Sequence, residues 1–274
     1  MALSRRDLLK AAAIAGLGAS TGVATYGALF ERHALTLTEA QLDVSGLPPA
    51  IDGLRVAFLT DLHHSIFVSA RDIQRAVDLA MASRPDMVVL GGDYVTSADR
   101  TFMEPVAELL AQLSAPHGVF AVLGNHDDDR EMPGALSRRG VSVLKDQRTT
   151  VELRGERLDV AGLRFWTRRP SEIARVLRGA AETTLLLAHD PRRLAEASAF
   201  DVGAVLAGHT HGGQIVLPGI GAPAARRFPV VFGTARRGNT AMFVSRGIGT
   251  VVVPVRINCP PEVALVTLRR RADF

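Results

Sequence analysis

The chain has 274 residues, of which 47% are hydrophobic and 22% charged, a balance that is typical of one or two globular domains and excludes intrinsic disorder. Its single cysteine, Cys259, excludes an internal disulfide framework and a cysteine-rich zinc or iron–sulfur site. The net charge is +4, but Lys10 and Lys145 are the only lysines, so the basicity reflects an arginine-rich composition and does not predict a nucleic-acid-binding patch.

The first thirty residues are predicted to be a targeting segment and not part of the fold. An uncharged stretch of about 20 residues, Ala11 to Phe30, is long enough to span a bilayer but is rich in small residues. A basic start before such a run is typical of an export signal. The run from Ser4 to Lys10 resembles the twin-arginine signal S/T-R-R-x-F-L-K, with Leu8 in place of Phe. We therefore predict export by the twin-arginine machinery to the periplasm or another extracytoplasmic compartment, followed either by release or by retention as a membrane anchor.

Strands and helices alternate in the first half of the remaining chain. Short apolar runs bounded by Gly, Pro or Asp predict strands over residues 53–60, 86–92 and 119–123. Apolar residues at helical spacing predict helices over residues 69–83 and 102–113, with Ser69 as the N-cap of the first. This alternation is typical of α/β layering with parallel strands.

The second half has more strands and more Gly and Pro turns. Helices are predicted near residues 134–139, 171–177 and 191–197. Strands are predicted over residues 141–144, 150–153, 158–161, 184–188, 202–207, 214–217, 240–244, 251–253 and 263–268. This density of strands predicts a second sheet within the same domain. Residues 31–50 are predicted to be a linker or lead-in to that domain.

Metal-ligating side chains follow five of the predicted strands. The five endings are Asp61-Leu62-His63, Gly91-Gly92-Asp93, Gly124-Asn125-His126-Asp127, Ala188-His189-Asp190 and Gly208-His209-Thr210-His211. Ligands of open α/β sheets bind beyond the carboxyl ends of the strands. One histidine at a strand end is more often a hydrogen-bonded structural residue, but five endings would each need a partner, which a shared metal site provides. Carboxylate, imidazole and amide oxygen suit Mn²⁺, Fe, Zn²⁺ or Mg²⁺, and two such ions about 3.5–4 Å apart can activate a bridging hydroxide for attack at phosphorus.

These blocks also carry a family resemblance. The order D-x-H, G-G-D, G-N-H-D, H and G-H-x-H over residues 50–270 resembles the calcineurin-like metallophosphoesterase family. The phrases LAHDP (187–191), GHTHGGQ (208–214) and NCPPE (258–262) further resemble its exported or membrane-bound bacterial phosphodiesterase branch, some members of which are UDP-2,3-diacylglucosamine pyrophosphatases. The resemblance implies an α/β fold in which a two-sheet β-sandwich is flanked by helices, with the catalytic domain over residues 51–274.

The resemblance also implies a role for each block residue. Two divalent metal ions (Mn, Zn, Fe or Mg) would be held by Asp61, His63 and His211 on the first, by Asn125, His189 and His209 on the second, and by Asp93 as the bridge. His126 would not be a ligand but would act near the leaving group as a general acid or hydrogen-bond donor. Asp127 would either orient that region or cap a turn. Some branches pair the G-N-H histidine with an Asp; this chain has Thr96 there, which leaves the tuning of His126 open.

Two arginine-rich segments flank the blocks. Trp166 lies within one of them, residues 163–169, and either forms a rim that stacks on a base or sugar or packs as an ordinary aromatic. The arginines after the last block either contact an anionic substrate or form a solvated loop face; they are Arg226, Arg227, Arg236 and Arg237.

Together these observations predict a two-metal hydrolase of phosphodiester or pyrophosphate bonds at the cell envelope, acting on a phosphorylated small molecule, a lipid-linked substrate or a cell-wall substrate. One alternative is a non-catalytic scaffold or cell-wall-binding protein of the same fold, which the complete ligand set disfavours. Another is a hydrolase of lipid precursors that resembles UDP-2,3-diacylglucosamine pyrophosphatase. A nuclease is disfavoured because Arg5, Arg6 and Lys10 lie in the predicted leader, so the exported part is less basic.

Overall fold

We describe residues 21–180 and 183–271 in a computed structural model of the chain. The twin-arginine motif and the first part of the predicted apolar run, residues 1–20, lie outside the described residues. Within the described part of the chain, the search for a helix with the length and hydropathy needed to cross a membrane finds none.

The domain is built on two six-stranded sheets. In chain order the strands are β1 (Thr36–Val44), β2 (Leu54–Leu59), β3 (Met87–Leu90), β4 (Val119–Ala121), β5 (Ser142–Val143), β6 (Gln147–Leu153), β7 (Glu156–Leu163), β8 (Leu185–Ala188), β9 (Ala204–Ala207), β10 (Gly233–Arg237), β11 (Thr240–Val244) and β12 (Glu262–Arg270). One sheet has the order β1-β12-β2-β3-β4-β5 and the other β10-β11-β9-β8-β7-β6. The strands β2 to β5 are mutually parallel, as are β7, β8, β9 and β11. The carboxyl ends of the central strands therefore meet along one edge of each sheet.

Helices cover the outer faces of the sheets. They are α1 (Ala70–Ala82), α2 (Met103–Leu110), α3 (Met132–Ser137), α4 (Pro170–Leu177) and α5 (Leu194–Ala199). The first begins at the predicted cap, Ser69, whose hydroxyl accepts a hydrogen bond from the Asp72 amide while the Asp72 carboxylate accepts one from the Ser69 amide. This reciprocal pair fixes the start of α1 directly after the loop that follows β2.

The core has three apolar layers. In β2, Val56 and Phe58 point between the two sheets and pack with Leu187 of β8. The alternate residues of β2, such as Leu59, pack beneath α1 and α2. The outer face of the second sheet packs beneath α4 and α5. Because the central strands are buried on both faces, they appear in the sequence as continuous apolar runs. The predicted α/β fold with two sheets flanked by helices is confirmed.

Four segments differ from the prediction, one of which is β10, a strand that the sequence analysis did not predict. Residues 31–50 contain β1, which pairs in parallel with β12 from Thr36 opposite Glu262 onward, so the sheet begins before the predicted start of the domain. The predicted strands over 214–217 and 251–253 are loops. Gln214 and Val252 have φ angles of 59° and 66°, a left-handed backbone that a strand does not adopt.

Candidate metal centre

The fold brings the predicted metal ligands together where parallel strands end. Residues 61 and 63 follow β2, residue 93 follows β3, residue 125 follows β4, residue 189 follows β8, and residues 209 and 211 follow β9. Two groups each offer ligand atoms that all lie within 4.8 Å of one another. The first group is Asp61, His63 and His211, and the second is Asp93, His189 and His209.

The first group has a buried imidazole pair beside a carboxylate. The Nε2 atoms of His63 and His211 lie 3.1 Å apart, and Nε2 of His211 lies 3.3 Å from Oδ1 of Asp61. The Asp61 carboxylate is held by the Thr60 hydroxyl at 2.9 Å and by the His209 amide at 3.0 Å. These bonds position the carboxylate without using all of its lone pairs.

Asp93 lies between the two groups. Its Oδ2 is 3.1 Å from Nε2 of His189 and 3.5 Å from Nε2 of His63, whereas its Oδ1 accepts a hydrogen bond from the His126 amide at 2.8 Å. Oδ1 of Asn125 is buried and has no hydrogen-bond partner among the described residues. A buried amide oxygen without a donor needs another partner, and a cation supplies one. The nitrogen and oxygen donors present therefore fit two divalent ions that share Asp93.

Hydrogen bonds on the far side of two imidazoles orient them. Nδ1 of His189 lies 2.8 Å from the carbonyl oxygen of Gly91, which can only accept, so Nδ1 carries the proton and Nε2 faces Asp93. Nδ1 of His63 lies 3.2 Å from the Thr96 hydroxyl. Such partners set the tautomer and ring orientation of metal-binding histidines.

Burial and charge favour the ligand forms of most of these groups. Burial lowers the pKa of His63 to about 4 and the pKa of His211 well below its ordinary value. Burial raises the pKa of Asp61 to about 6. It also disfavours the ionised Asp93 carboxylate, but His189 and His63 outweigh it and hold the pKa of Asp93 well below its usual range. Burial likewise disfavours the imidazolium of His189, yet Asp93 and Asp61 raise its pKa to about 10. An ion bound by His189 therefore has to displace a proton.

The backbone at the ligands is unusual for residues with side chains. Positive φ angles between 49° and 71° occur at Asp61, His63, Asp93, His209 and His211. A left-handed conformation at a residue other than glycine costs of order 1–3 kcal/mol and is concentrated at functional sites. Each turn redirects the chain directly after a strand, so that neighbouring side chains such as 61 and 63 reach one centre.

Two glycines leave room for the carboxylates. A Cβ atom added to Gly124 would overlap the Asp93 carboxylate, and one added to Gly208 would overlap the Asp61 carboxylate. Glycine at these two positions therefore allows close approach of the backbone to the carboxylates.

Asp127 connects the ends of two strands. Its carboxylate accepts hydrogen bonds from the backbone amides of Asp93, Tyr94 and Gly124, each at 2.8 Å. The first two amides follow β3 and the third follows β4. This arrangement favours the orienting role of Asp127 over a local turn cap, because the carboxylate fixes the backbone that carries Asp93.

His126 lies beside the ligands without joining either group. Its ring packs edge-on against His63 at 4.9 Å between centroids, and its Nδ1 accepts a hydrogen bond from the Ser97 amide at 3.1 Å. The partner is thus a backbone amide, and the Thr96 hydroxyl contacts His63 instead. His126 and Asn125 line an open cavity of about 580 Å³ beside the ligands.

Two aromatic rings that the sequence analysis did not single out flank His209. The centroids of Phe165 and Phe228 each lie 5.2 Å from the imidazole of His209. Arginines stack on these rings: Arg168 on the first at 4.8 Å, and Arg192 and Arg227 on the second at 5.4 and 5.1 Å. We call the two rings and three arginines the cationic shelf. In the sequence, the shelf could also have been sought at Arg192, which directly follows the His-Asp-Pro of the fourth block.

The other predicted rim residues have different surroundings. Trp166 is 40% exposed, and the centroid of its ring lies 6.1 Å from that of Phe165 in an edge-to-face arrangement. It is therefore not a core aromatic. Arg226 donates to the Ile220 carbonyl, and Arg236 donates to the Asn239 carbonyl at the β10–β11 turn. Neither contact brings these two arginines to the metal ligands.

Arg256 is a fully buried arginine that the sequence analysis also missed. Its guanidinium donates to the carbonyl oxygens of Arg246, Gly247, Gly249 and Cys259. The loop over residues 247–249 in turn donates from its amides to the carbonyls of residues 60 and 61. Arg256 therefore supports the backbone that carries the first carboxylate ligand.

Known proteins share this sequence pattern. The family model for calcineurin-like phosphoesterases matches residues 54–213, a range that contains every predicted ligand. The chain belongs to this family. Its membership and the two His/Asp groups make it a metal-dependent phosphoester hydrolase.

Three relatives illustrate the similarity. The uncharacterized metallophosphoesterase YkuE of Bacillus subtilis (strain 168) is 28% identical over 281 residues, which cover 97% of this chain and 98% of the relative. Phosphodiesterase YaeI of Escherichia coli (strain K12) is 31% identical over 231 residues, which cover 78% of this chain and 82% of the relative. A transmembrane protein with metallophosphoesterase domain from Danio rerio is 28% identical over 268 residues, which cover 90% of this chain and 60% of the relative.

Proposed function

We propose that the chain is a two-metal hydrolase of phosphodiester or pyrophosphate bonds that acts at the cell envelope. The observation that carries this proposal is the position of Asp93 between two groups of buried ligands, 3.5 Å from His63 and 3.1 Å from His189. A shared carboxylate between two ligand groups is the arrangement used for in-line displacement at phosphorus. The phosphodiesterase named among the relatives supports the choice of a diester.

The chain's own residues would divide the reaction between them. Divalent ions bound in the two ligand groups would supply activation of water and neutralisation of phosphate charge. His126, whose Nδ1 accepts from the Ser97 amide, would present its Nε2–H to the cavity as a hydrogen-bond donor to the charge that develops on the leaving oxygen. The cationic shelf beside His209 attracts and orients an anionic substrate.

The proposal is tested by hydrolysis of bis-p-nitrophenyl phosphate with Mn²⁺, Zn²⁺, Fe²⁺ or Mg²⁺ added to chelator-treated protein. We expect metal-dependent turnover of the diester that exceeds turnover of p-nitrophenyl phosphate. A folded protein that holds two metal equivalents but hydrolyses neither would refute the proposal. Little bound metal together with no activity would favour the non-catalytic scaffold. Adding nucleotide-sugar pyrophosphates to the panel tests the alternative of a UDP-2,3-diacylglucosamine pyrophosphatase-like hydrolase.

The envelope location rests on the leader sequence. Arg5 and Arg6 stand before the uncharged run, as they do in twin-arginine signals. Replacing both with lysine is expected to leave the protein in the cytoplasmic fraction, whereas the natural chain is expected in the membrane or periplasmic fraction. Equal distribution of the two proteins would contradict export by this route.

A further inference from the structure

Several large apolar side chains are exposed on three segments beside the active-site cavity. One segment is the loop after β2, another is the loop before β12, and the third is the helical segment over residues 21–29 with the residue that follows it. We call these side chains the apolar rim: Ile66, Phe67, Val252, Val253, Tyr26, Leu29 and Phe30. Ile66 is 83% exposed and Val252 is 94% exposed. Contiguous exposed apolar surface of this kind marks an interaction site.

Direct contacts join the three segments into one surface. The Arg32 guanidinium donates to the Phe67 carbonyl at 3.1 Å, which ties the N-terminal segment to the loop after β2. The Arg256 amide donates to the Gly27 carbonyl at 3.2 Å, which ties the same segment to the loop before β12. These bonds hold the three segments next to one another, so their exposed apolar side chains lie on neighbouring parts of the surface.

The rim borders the active site. A cavity of about 640 Å³ lies between the two loops, and its lining includes Ile66, Phe67, Val252 and His126. His126 also lines the cavity beside the metal ligands, so the two cavities meet at this side chain. A surface that covers the rim would thus lie at the entrance to the catalytic centre.

The loop before β12 is held in an exposed position. The side-chain amide of Gln214 accepts from the Val251 amide at 2.9 Å and donates to the carbonyls of Val251 and Val253 at 3.2 and 2.7 Å. Between these anchors Val252 has a φ of 66°. A β-branched residue in this conformation is strained, and its side chain, exposed as it is, gains little from packing against the described residues to offset the strain. The hydrogen bonds on either side of Val252 therefore keep its side chain exposed.

The chemistry around the rim favours a lipid bilayer as its occupant. The uncharged run that starts at Ala11 continues directly into the helical segment of the rim, so about 20 uncharged residues end at this patch. Arg71 and Arg75 lie exposed on α1 and form no ion pair among the described residues. Arg75 instead donates to the His33 carbonyl within the N-terminal segment. Apolar side chains flanked by unpaired arginines match an apolar interior beneath anionic headgroups.

We propose that the apolar rim docks on a lipid bilayer, with Ile66, Phe67 and Val252 entering the interface and the His126 cavity opening toward the headgroups. The docking itself does not depend on the proposed phosphodiesterase activity. That activity adds one consequence, which is that a phosphodiester carried by a lipid would meet the catalytic centre without leaving the membrane surface.

The first test places a fluorescent reporter in the rim of the full-length chain. Trp166→Phe removes the single natural tryptophan, and Ile66→Trp then introduces one at the rim. With vesicles of phosphatidylglycerol and phosphatidylcholine, we expect a blue shift of its emission and quenching by brominated acyl chains. The matched control is Glu156→Trp in the same background, at the exposed start of β7, where neither change is expected. A rim tryptophan that stays solvent-exposed while the protein floats with vesicles would overturn the proposal, because the leader alone would then be the anchor.

The second test removes the rim. The triple variant Ile66→Ser, Phe67→Ser, Val252→Ser is expected to lower vesicle partitioning at least about tenfold, since burial of each apolar side chain favours transfer from water. The double variant Ile220→Ser, Phe232→Ser changes exposed apolar residues outside the rim and is expected to partition like the natural chain. Unchanged partitioning of the triple variant would contradict docking on lipid. So would a triple variant that partitions like the natural chain but no longer forms a dimer that the natural chain forms, because the rim would then be a contact between two copies of the chain. Hydrolysis of soluble bis-p-nitrophenyl phosphate by the triple variant reports separately on the proposed activity and on folding.

Discussion

The backbone amide of Ser97 donates a hydrogen bond to Nδ1 of His126 over 3.1 Å. Because an amide can only donate, the neutral imidazole must carry its proton on Nε2. The ring edge that bears Nε2 is thus available to the two cavities that His126 lines. Some branches of the family pair this histidine with a carboxylate, which accepts a hydrogen bond; here a backbone amide donates one, which fixes the Nε2–H form of the neutral ring.

This geometry predicts the effect of removing the imidazole. His126→Ala is expected to lower kcat for bis-p-nitrophenyl phosphate by about two to three orders of magnitude, the usual cost of removing one hydrogen-bond donor to developing charge. The metal content is expected to remain the same, because His126 belongs to neither ligand group. Steady-state kinetics and elemental analysis measure the two quantities. His117→Ala, at a histidine outside the site, is the matched control, and equal losses in both variants would argue against the assigned role.

Much of the centre could be predicted because its ligands are local to strand ends. The runs that precede Asp61, Asp93 and His189 are apolar on both faces, so the sequence marks where each strand stops and which side chain follows. Parallel pairing then brings the endings of β2 and β3 to one edge of the first sheet and the ending of β8 to one edge of the second, whereas the packing of the two sheets, which unites them, is not local to any strand. The left-handed backbone at these residues was not predictable, since nothing in Asp or His requires it.

The parts that were missed depend on contacts between distant segments. β1 alternates exposed and partly buried residues, and its pairing partner lies more than 200 residues away at β12, so local hydropathy gave it no continuous apolar signal. Arg256 lies in a Val- and Pro-rich loop that folds around its guanidinium, and nothing in the local sequence indicates this burial. Phe228 reaches His209 only because the segment after the last block turns back over the site.

A second prediction concerns the orphaned amide of Asn125. Asn125→Ala removes the buried Oδ1 atom that has no partner among the described residues, so the second metal is expected to lose a ligand. The affinity for this metal is expected to fall about 10- to 100-fold, as it does after other changes in the surroundings of a metal, and the occupancy falls with it. Asn125→Asp keeps an oxygen and is expected to retain the ion. Elemental analysis after gel filtration measures the stoichiometry. Asn239→Ala, at an exposed asparagine, is the control; equal metal content in the Asn125→Ala and control proteins would remove Asn125 from the ligand set.

A third prediction separates two neighbouring arginines. Arg227 stacks on Phe228, which contacts His209, whereas Arg226 donates to the Ile220 carbonyl. Arg227→Ala is expected to raise KM for a diester with a second negative charge by several-fold, the equivalent of about 1 kcal/mol, with a smaller change in kcat. Added salt should reduce the difference, because exposed charges are screened. Arg226→Ala should leave both constants unchanged, and a KM effect shared by both variants would indicate only general surface charge.

The fourth prediction is a pH dependence of stability that arises away from the metal ligands, at Asp146. Burial disfavours its charge, but the Thr167 hydroxyl at 2.7 Å and Arg164, which donates from its amide at 3.1 Å and from Nε at 2.7 Å, outweigh that effect and lower its pKa. A carboxyl whose pKa is lower in the folded state stabilises the fold above its unfolded pKa, and this contribution is lost as pH falls through the folded pKa. Asp146→Asn is therefore expected to cost about 1–3 kcal/mol of unfolding free energy at pH 7. The difference from the natural chain should shrink at pH values below the ordinary carboxyl pKa of 3.8.

Urea unfolding measures this difference, and chelator present at every pH excludes metal loss as the cause. Asp201→Asn, at an exposed carboxylate, should change the unfolding free energy by less than about 0.5 kcal/mol at pH 7; a cost at Asp146 that persists undiminished in acid would show that packing, and not charge, is what the carboxylate contributes.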